Sequence, residues 1–269
     1  MSIISITSDY GNKDFTKGYL KGLLYSQLEN PIIVDISHEV SPFNIIEASY
    51  IIKNSYKSFP RGSIHIVDVD ADKTPEQELI VVIFDEHYFV TANNGILSLI
   101  SEELRPNKVI AITFEGNKFD VFSKVASHIH RGGNINLVGN EINKLKELKD
   151  LKIRIKSENQ ILGNVIYVDN YGNIVTNISK KIFEEHRKER NFSINARSII
   201  FDNIYNSYTE AINFDKEKIY REEEGKKIAI FNKAGYLELG VYKSNPSTIG
   251  SAQTLFGLNY GDTISVIFK

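Results

Sequence analysis

The sequence predicts an α/β fold: an N-terminal domain built on a largely parallel sheet, followed by a smaller C-terminal all-β, barrel-like domain. Three observations lead to it. In the first half, short runs of aliphatic and β-branched residues alternate with stretches of helical spacing, the pattern of βαβ units. In the second half strand runs continue while helical stretches become scarce. Between them lies a lysine- and glutamate-rich segment, 144–156, with leucines at helix-compatible intervals, which marks a boundary between domains spanning 1–152 and 159–269.

Each element has its own justification. The apolar run 3–7 reads as a strand, the polar group from Ser8 to Asn12 as a turn, and 15–28 as a helix. The unit repeats with a strand at 32–36, a helix over 44–55 and a strand at 63–69. Strands at 79–84 and 88–92 follow, joined by Asp85-Glu86-His87, and then a helix over 121–130. C-terminal strands are expected at 165–168, 174–178, 199–201, 227–231, 236–242 and 263–268. The charged excursion 215–227 reads as a solvated loop or a short exposed helix.

Composition narrows the function classes. With 32 basic against 34 acidic residues in 269, the net charge of -2 lacks the cationic excess of a nucleic-acid binder and fits a small neutral or zwitterionic ligand. Cysteine is absent, which excludes disulfides, thiolate catalysis and sulfur-ligated metals. No segment approaches the ~20 apolar residues needed to span a bilayer. The N-terminus runs from Met1 to Asp9 without a basic region and a sustained apolar stretch, so it does not read as a signal peptide and the cytoplasm is the expected location. Motifs of the HExxH, GxGxxG and GxxxxGK[ST] types are missing.

Three constellations could carry chemistry. Thr7-Ser8-Asp9-Tyr10-Gly11 puts a carboxylate at the C-terminal end of the first strand, the edge where parallel α/β sheets bind ligands. Asp9 can accept two hydrogen bonds from a ribose diol; it can equally cap a turn. In the run from His65 to Asp72, alternation places Asp68, Asp70 and Asp72 on one face if the strand continues that far. Such a cluster could serve a metal-dependent hydrolase or end the strand in a capped turn. A calcium loop is rejected, because the sixth position is Lys73 and the twelfth Leu79. Finally, Asp169 to Asn177 is rich in side-chain amides: Tyr171 offers a flat face to a purine and Asn173 a donor–acceptor pair, although Asn-Tyr-Gly-Asn is also ordinary turn chemistry. His65 and His128 read as structural residues.

Together these residues resemble the S-adenosyl-L-methionine (SAM) hydroxide adenosyltransferases, which share a family with fluorinating and chlorinating enzymes. The resemblance runs nearly end to end. It includes Thr7 to Gly11, Val34-Asp35-Ile36-Ser37-His38 with Ser41-Pro42-Phe43, Ala92-Asn93-Asn94-Gly95-Ile96-Leu97, Asp169 to Asn177, Gly235-Tyr236-Leu237-Glu238, and Gly257-Leu258-Asn259-Tyr260-Gly261-Asp262. It implies hydrolysis of SAM to adenosine and L-methionine without a cofactor or metal. It also implies a homotrimer, with sites between one subunit's N-terminal domain and its neighbour's C-terminal domain. Carried over by position, Asp9 would hold the ribose diol, Phe43 would form an aromatic wall, Tyr171 and Asn173 would contact adenine, and Asp169 would meet the methionine ammonium.

The implied chemistry is an in-line attack by water or hydroxide on C5′ while the sulfonium leaves as a neutral thioether, so no general acid is needed. The family's water-activating aspartate corresponds to Asp70. Gln77 stands at its arginine position and Asn117 at its histidine. Lys233 replaces a serine that would contact the amino-acid end of methionine. A fixed cation and a neutral-pH proton acceptor are thus both exchanged for amides. The halogenating relatives carry a tyrosine where this chain has Asp70, and a carboxylate there repels halide. Two further readings stay open: an adenosyl-binding protein that senses or sequesters its ligand, and the metal-dependent hydrolase built on the aspartate run.

Overall fold

A computed structural model describes residues 2–100, 106–148, 152–220, 223 and 225–269. The chain divides into two compact units, Met1–Leu148 and Lys149–Lys269. The first contains β1 (Ile4–Ser8), α1 (Thr16–Gln27), β2 (Ile33–Ser37), α2 (Ile45–Lys53), β3 (Ile64–Asp68), β4 (Leu79–Phe84), β5 (His87–Ala92), α3 (Ile96–Ile100), β6 (Lys108–Ile112), α4 (Lys118–His130) and β7 (Gly139–Glu141). The second contains β8 (Arg154–Ser157), β9 (Gln160–Val168), β10 (Ile174–Ser179), α5 (Lys180–Arg187), β11 (Phe192–Ala196), β12 (Ile199–Phe201), β13 (Lys227–Phe231), β14 (Tyr236–Val241), α6 (Ala252–Phe256) and β15 (Thr263–Phe268).

In the first unit the seven strands lie in the order β2-β1-β3-β5-β4-β6-β7. The pairings of β1 with β2, β1 with β3 and β3 with β5 are parallel; β4, β6 and β7 extend the sheet antiparallel. Both faces are covered, so β1 and β3 are buried along their whole length, polar Ser5, Thr7, Ser8, His65 and Asp68 included. Alternation sorts the side chains: Ile64 and Ile66 of β3 join Leu20 and Leu24 of α1 and Val121 and Val125 of α4, whereas Val67 joins Ala48 and Ile52 of α2 on the opposite face. At ~25 cal/mol per Å² of apolar surface, burying a side chain of this size contributes about 1.5–3 kcal/mol. The parallel strands therefore end together at one C-terminal edge.

The second unit is an antiparallel sheet in the order β12-β11-β15-β9-β10-β14-β13, with β8 on β9. It is barrel-like and nearly closed: Lys227 Nζ donates to Ile200 O at 2.7 Å and Tyr205 N to Ala229 O at 2.9 Å, joining the regions of β12 and β13. Its core gathers phenylalanines, with Phe183 ring centroids 5.1, 5.3 and 5.5 Å from those of Phe192, Phe231 and Phe268.

Two segments are defined further by the structure. Residues 144–148, in the boundary segment, form no regular element. They are held as a strap by hydrogen bonds from Lys146 N to Asn93 Oδ1 (2.8 Å) and from Leu148 N to Ser98 Oγ (3.0 Å), which compete with helical pairing; 149–151 lie outside the described residues. The aspartate run does not continue as a strand. Ladder pairing stops at Asp68, and Asp70 takes φ 48°, so Asp68 is buried while Asp70 and Asp72 turn outward into solvent. Among the described residues of the 215–227 excursion, a 3-10 turn spans Lys218–Tyr220.

Candidate active site

Two groups of side chains stand out, one in each unit. In the first unit the C-terminal edge of β1 and β3 collects carboxylates because both strands run the same way and end in register, Ser8 opposite Asp68. Asp9 follows directly. Its Oδ2 accepts from Phe43 N at 2.8 Å, fixing Phe43 at φ 60° with its ring 69% exposed beside the same edge. A bulky residue at positive φ is costly, and the Asp9 carboxylate is what holds it there.

Beneath Asp9 runs a chain of polar contacts from the surface inward: Lys21 Nζ to Asp35 Oδ2 at 2.7 Å, Asp35 Oδ1 to His38 Nε2 at 3.1 Å, and His38 Nδ1 to Ser8 Oγ at 2.6 Å. Burial holds His38 below the usual histidine range despite Asp35, keeping the ring neutral. Asp35 lies below the carboxylate range: its partial burial works against this, and Lys21 and His38 together outweigh it. Ser8 is fully buried, so this Ser-His-Asp chain supports the strand end and presents no nucleophile to solvent.

Asp68 is the most perturbed group at the edge. Its side chain is fully buried, Lys118 Nζ of α4 stands 3.1 Å from Oδ1 as a charge contact, and Oδ2 has no hydrogen-bond partner. Burial outweighs the lysine and pushes its pKa up to about 7, with Asp9 and Asp72 adding repulsion. Lys118 also reaches Asp72 Oδ1 at 2.8 Å, and its ammonium lies 5.6 Å from the Tyr10 ring centroid. Burial alone would lower the Lys118 pKa; Asp68 and Asp72 reverse this and raise it. Lys118 thus fills the space between Asp68 and Asp72 that a metal would need, and no group of three or more potential ligands is arranged to hold a metal among the described residues.

The other positions singled out from sequence build this loop. Gln77 Nε2 donates to Asp70 O at 2.8 Å and to Asp72 O at 2.9 Å, and Asn94 Nδ2 donates to Val69 O and Asp70 O at 3.0 and 3.1 Å. The left-handed Asp70 is therefore fixed through its carbonyl while its carboxylate faces solvent. Asn117 is the N-cap of α4: its Oδ1 accepts from Asp120 N at 3.0 Å and its Nδ2 donates to Asp120 Oδ2 at 2.7 Å. That cap fixes where the first turn starts and so aims Lys118 at the edge.

In the second unit, the loop between β9 and β10 is organised by Asp169. Its Oδ1 accepts from Tyr171 N (2.9 Å) and Asn173 N (2.8 Å), and its Oδ2 from Asn173 Nδ2 (2.9 Å). Tyr171 consequently projects outward, 65% exposed, while Asn173 turns inward with its Oδ1 buried and unpartnered. Gly172 sits at φ 72°, and any side chain there would overlap Ser251 Oγ. Behind the loop, Tyr208 Oη donates to Glu238 Oε1 at 2.7 Å and Asn232 Nδ2 to Oε2 at 3.1 Å; burial raises the pKa of Glu238 despite both. Lys233 is exposed on the turn between β13 and β14, which Asn232 Oδ1 closes by accepting from Ala234 N and Tyr236 N.

Models of the SAM hydroxide adenosyltransferase N-terminal and C-terminal domains match residues 4–139 and 163–265. The chain belongs to this family. Similar proteins of the SAM hydroxide adenosyltransferase group include an (R)-S-adenosyl-L-methionine hydrolase of Methanocaldococcus jannaschii, 28% identical over 282 residues and covering 100% of this chain and 97% of that one. A fluorinase of Actinopolyspora mzabensis is 32% identical over 62 residues, 23% of this chain and 21% of its own. Among solved structures, an uncharacterized conserved protein from Thermotoga maritima superposes with a TM-score of 0.81 at 25% identity, covering 98% of this chain and 100% of that one. Within this adenosyltransferase fold, sequence reasoning missed Lys118 and the buried state of Asp68. The only local signal was Lys118 itself, adjoining Asn117.

Proposed function

We propose that the protein hydrolyses S-adenosyl-L-methionine to adenosine and L-methionine by attack of water or hydroxide on C5′. The observation that carries this is the match of both domains of one adenosyltransferase family, in order, to a chain whose first unit gathers carboxylates at a parallel-sheet edge. In this reading Asp9 accepts the ribose hydroxyls through the oxygen that Phe43 N leaves free, and the exposed Phe43 ring walls the sugar. Tyr171 stacks on adenine, the unpartnered Asn173 Oδ1 accepts from the base, and Asp169 and Lys233 meet the amino-acid end of methionine.

Asp70, exposed and held in a fixed backbone conformation, orients the attacking oxygen in line with the C5′–S bond. The C5′–O bond forms, the C5′–S pair goes to sulfur, and one proton leaves the water. Gln77 and Asn117 act indirectly, by shaping the Asp70 loop and by aiming Lys118. No cofactor enters. The residues divide between the two units, and the reading pairs one subunit's first unit with a neighbour's second unit in a cytoplasmic homotrimer. No helix among the described residues is long and apolar enough to cross a membrane.

A second reading draws on a specific observation: the amides of Gln77 and Asn117 are engaged in loop and cap hydrogen bonds, which leaves Asp70 as the free side chain among the three expected catalytic positions. It describes an adenosyl-binding protein without turnover. Incubating purified protein with SAM, with and without chelator, and following adenosine by chromatography separates these readings. Chelator-insensitive adenosine formation supports hydrolysis, heat of binding without product supports the second, and loss of turnover with chelator would restore a metal to the mechanism.

A further inference from the structure

We propose that buried Asp68 is a specificity-determining charge, selecting adenosyl ligands that carry a positive charge at the sulfonium position over neutral thioether or hydroxyl counterparts. The inference rests on the reading that Asp9 holds the ribose of an adenosyl compound. Asp68 pairs in register with Ser8, the residue before Asp9, so its carboxylate lies one strand away from the proposed ribose site.

The charges around it do not cancel. Asp9 comes from the loop after β1, Asp70 and Asp72 from the loop after β3, and Lys118 from α4. From the β5 side, Thr91 donates to Val67 O and Asn94 to Val69 O and Asp70 O, neither bringing charge. Ser8 is bound to a His38 ring that burial keeps neutral, and Asp120 at the start of α4 is turned to Asn117. One ammonium, shared between Asp68 and Asp72, thus answers a group of carboxylates, and Asp68 Oδ2 remains buried and unpartnered.

A sulfonium has no N–H or O–H to hydrogen-bond; apart from its extra methyl group, the field at the sulfur is what distinguishes it from a thioether. A buried carboxylate is suited to this, because its field is screened far less than that of an exposed one. The same field disappears as an attraction once the C5′–S bond breaks and sulfur becomes neutral, which favours release of products over rebinding.

The test compares sinefungin, whose ammonium stands at the sulfonium position and which is not hydrolysed, with S-adenosyl-L-homocysteine and adenosine. Dissociation constants would be measured by calorimetry well above pH 7, where Asp68 is ionised in the wild type, for wild type, Asp68→Asn and Lys118→Met. The preference for sinefungin over the thioether is expected to fall roughly tenfold in Asp68→Asn, the effect of one unit charge at about 10 Å in an effective dielectric of about 20. It should fall in Lys118→Met as well, because without the ammonium the buried Asp68 takes up a proton and its field is lost. Adenosine affinity should change little in either. An unchanged preference in both variants, or equal weakening of all three ligands, overturns the proposal. Should Asp68→Asn fail to fold, an unchanged preference in Lys118→Met overturns it alone. If wild type binds none of the three, the adenosyl reading itself has failed.

Discussion

Replacing His65 by phenylalanine should flatten the acid side of the stability profile while lowering stability at neutral pH. His65 is buried in β3, with Nδ1 2.6 Å from Ser5 Oγ and Nε2 3.1 Å from His87 Nδ1, and its ring centroid is 5.0 Å from that of Phe89 and 5.5 Å from that of Phe59. Burial, with the neighbouring His87 adding to it, pushes the His65 pKa from 6.5 down to about 3. The folded state therefore refuses a proton that the unfolded chain accepts. The stability from this group is fully present above the unfolded value near 6.5 and is lost as pH falls towards 3, at up to ~1.4 kcal/mol per pH unit. Between pH 7 and pH 5 the loss amounts to about 2 kcal/mol, and by pH 4 to about 3 kcal/mol. Phenylalanine keeps the ring packing and has no proton to refuse. It forfeits both hydrogen bonds and strands Ser5 Oγ, for about 1–3 kcal/mol at neutral pH. Urea unfolding of both proteins at pH 7 and pH 5 gives the difference directly. If the loss between the two pH values is the same in wild type and variant, His65 is not the group that titrates and the burial argument is wrong.

Three other outcomes follow from the same geometry. Asp70→Asn should abolish adenosine formation while leaving adenosine binding by calorimetry intact, since the backbone there is held by Gln77 and Asn94 rather than by the carboxylate; wild-type turnover would remove Asp70 from the mechanism. Gln77→Ala removes two hydrogen bonds to the loop carbonyls and should cost about 1–2 kcal/mol in thermal unfolding together with a lower kcat; an unaltered kcat would show that loop order does not matter to the reaction. Gly172→Ala combines a left-handed φ of 72° with overlap on Ser251, so it should destabilise by more than ~1 kcal/mol and weaken adenosine binding, both measurable by thermal shift.

Sequence and structure agree most closely where the signal is local. Strands at Leu79–Phe84, Ile199–Phe201, Lys227–Phe231 and Thr263–Phe268 start and end at the residues the apolar runs mark, because the sheets bury those runs. Helices α3 and α5 escaped notice for physical reasons. The first has five residues, too few to display a helical period, and in the second only Phe183 is buried, so its eight residues carry too little apolar signal to mark a helix. The site divides along the same line. Asp169 is legible as a turn former, since it accepts from backbone N–H groups of its own segment, whereas the Asp9 contact with Phe43 N joins residues 34 apart.

The charge arrangement is not legible, because no local pattern contains it. Asp68 and Lys118 are brought together by a parallel strand ending at the sheet edge and by a helix whose first turn is set by Asn117. Resemblance to the family directs attention to Gln77 and Asn117 as lost catalytic groups. The fold shows Gln77 engaged with loop carbonyls and Asn117 with the helix cap, the latter one residue before a lysine that brings a positive charge to the same edge. A positional comparison scores that exchange as two losses, since it matches residues and not charges in space. If the Asp68–Lys118 pair governs the field at the site, substituting Lys118 should alter charge discrimination more than substituting Asn117 by serine, which preserves the cap and therefore the lysine's aim.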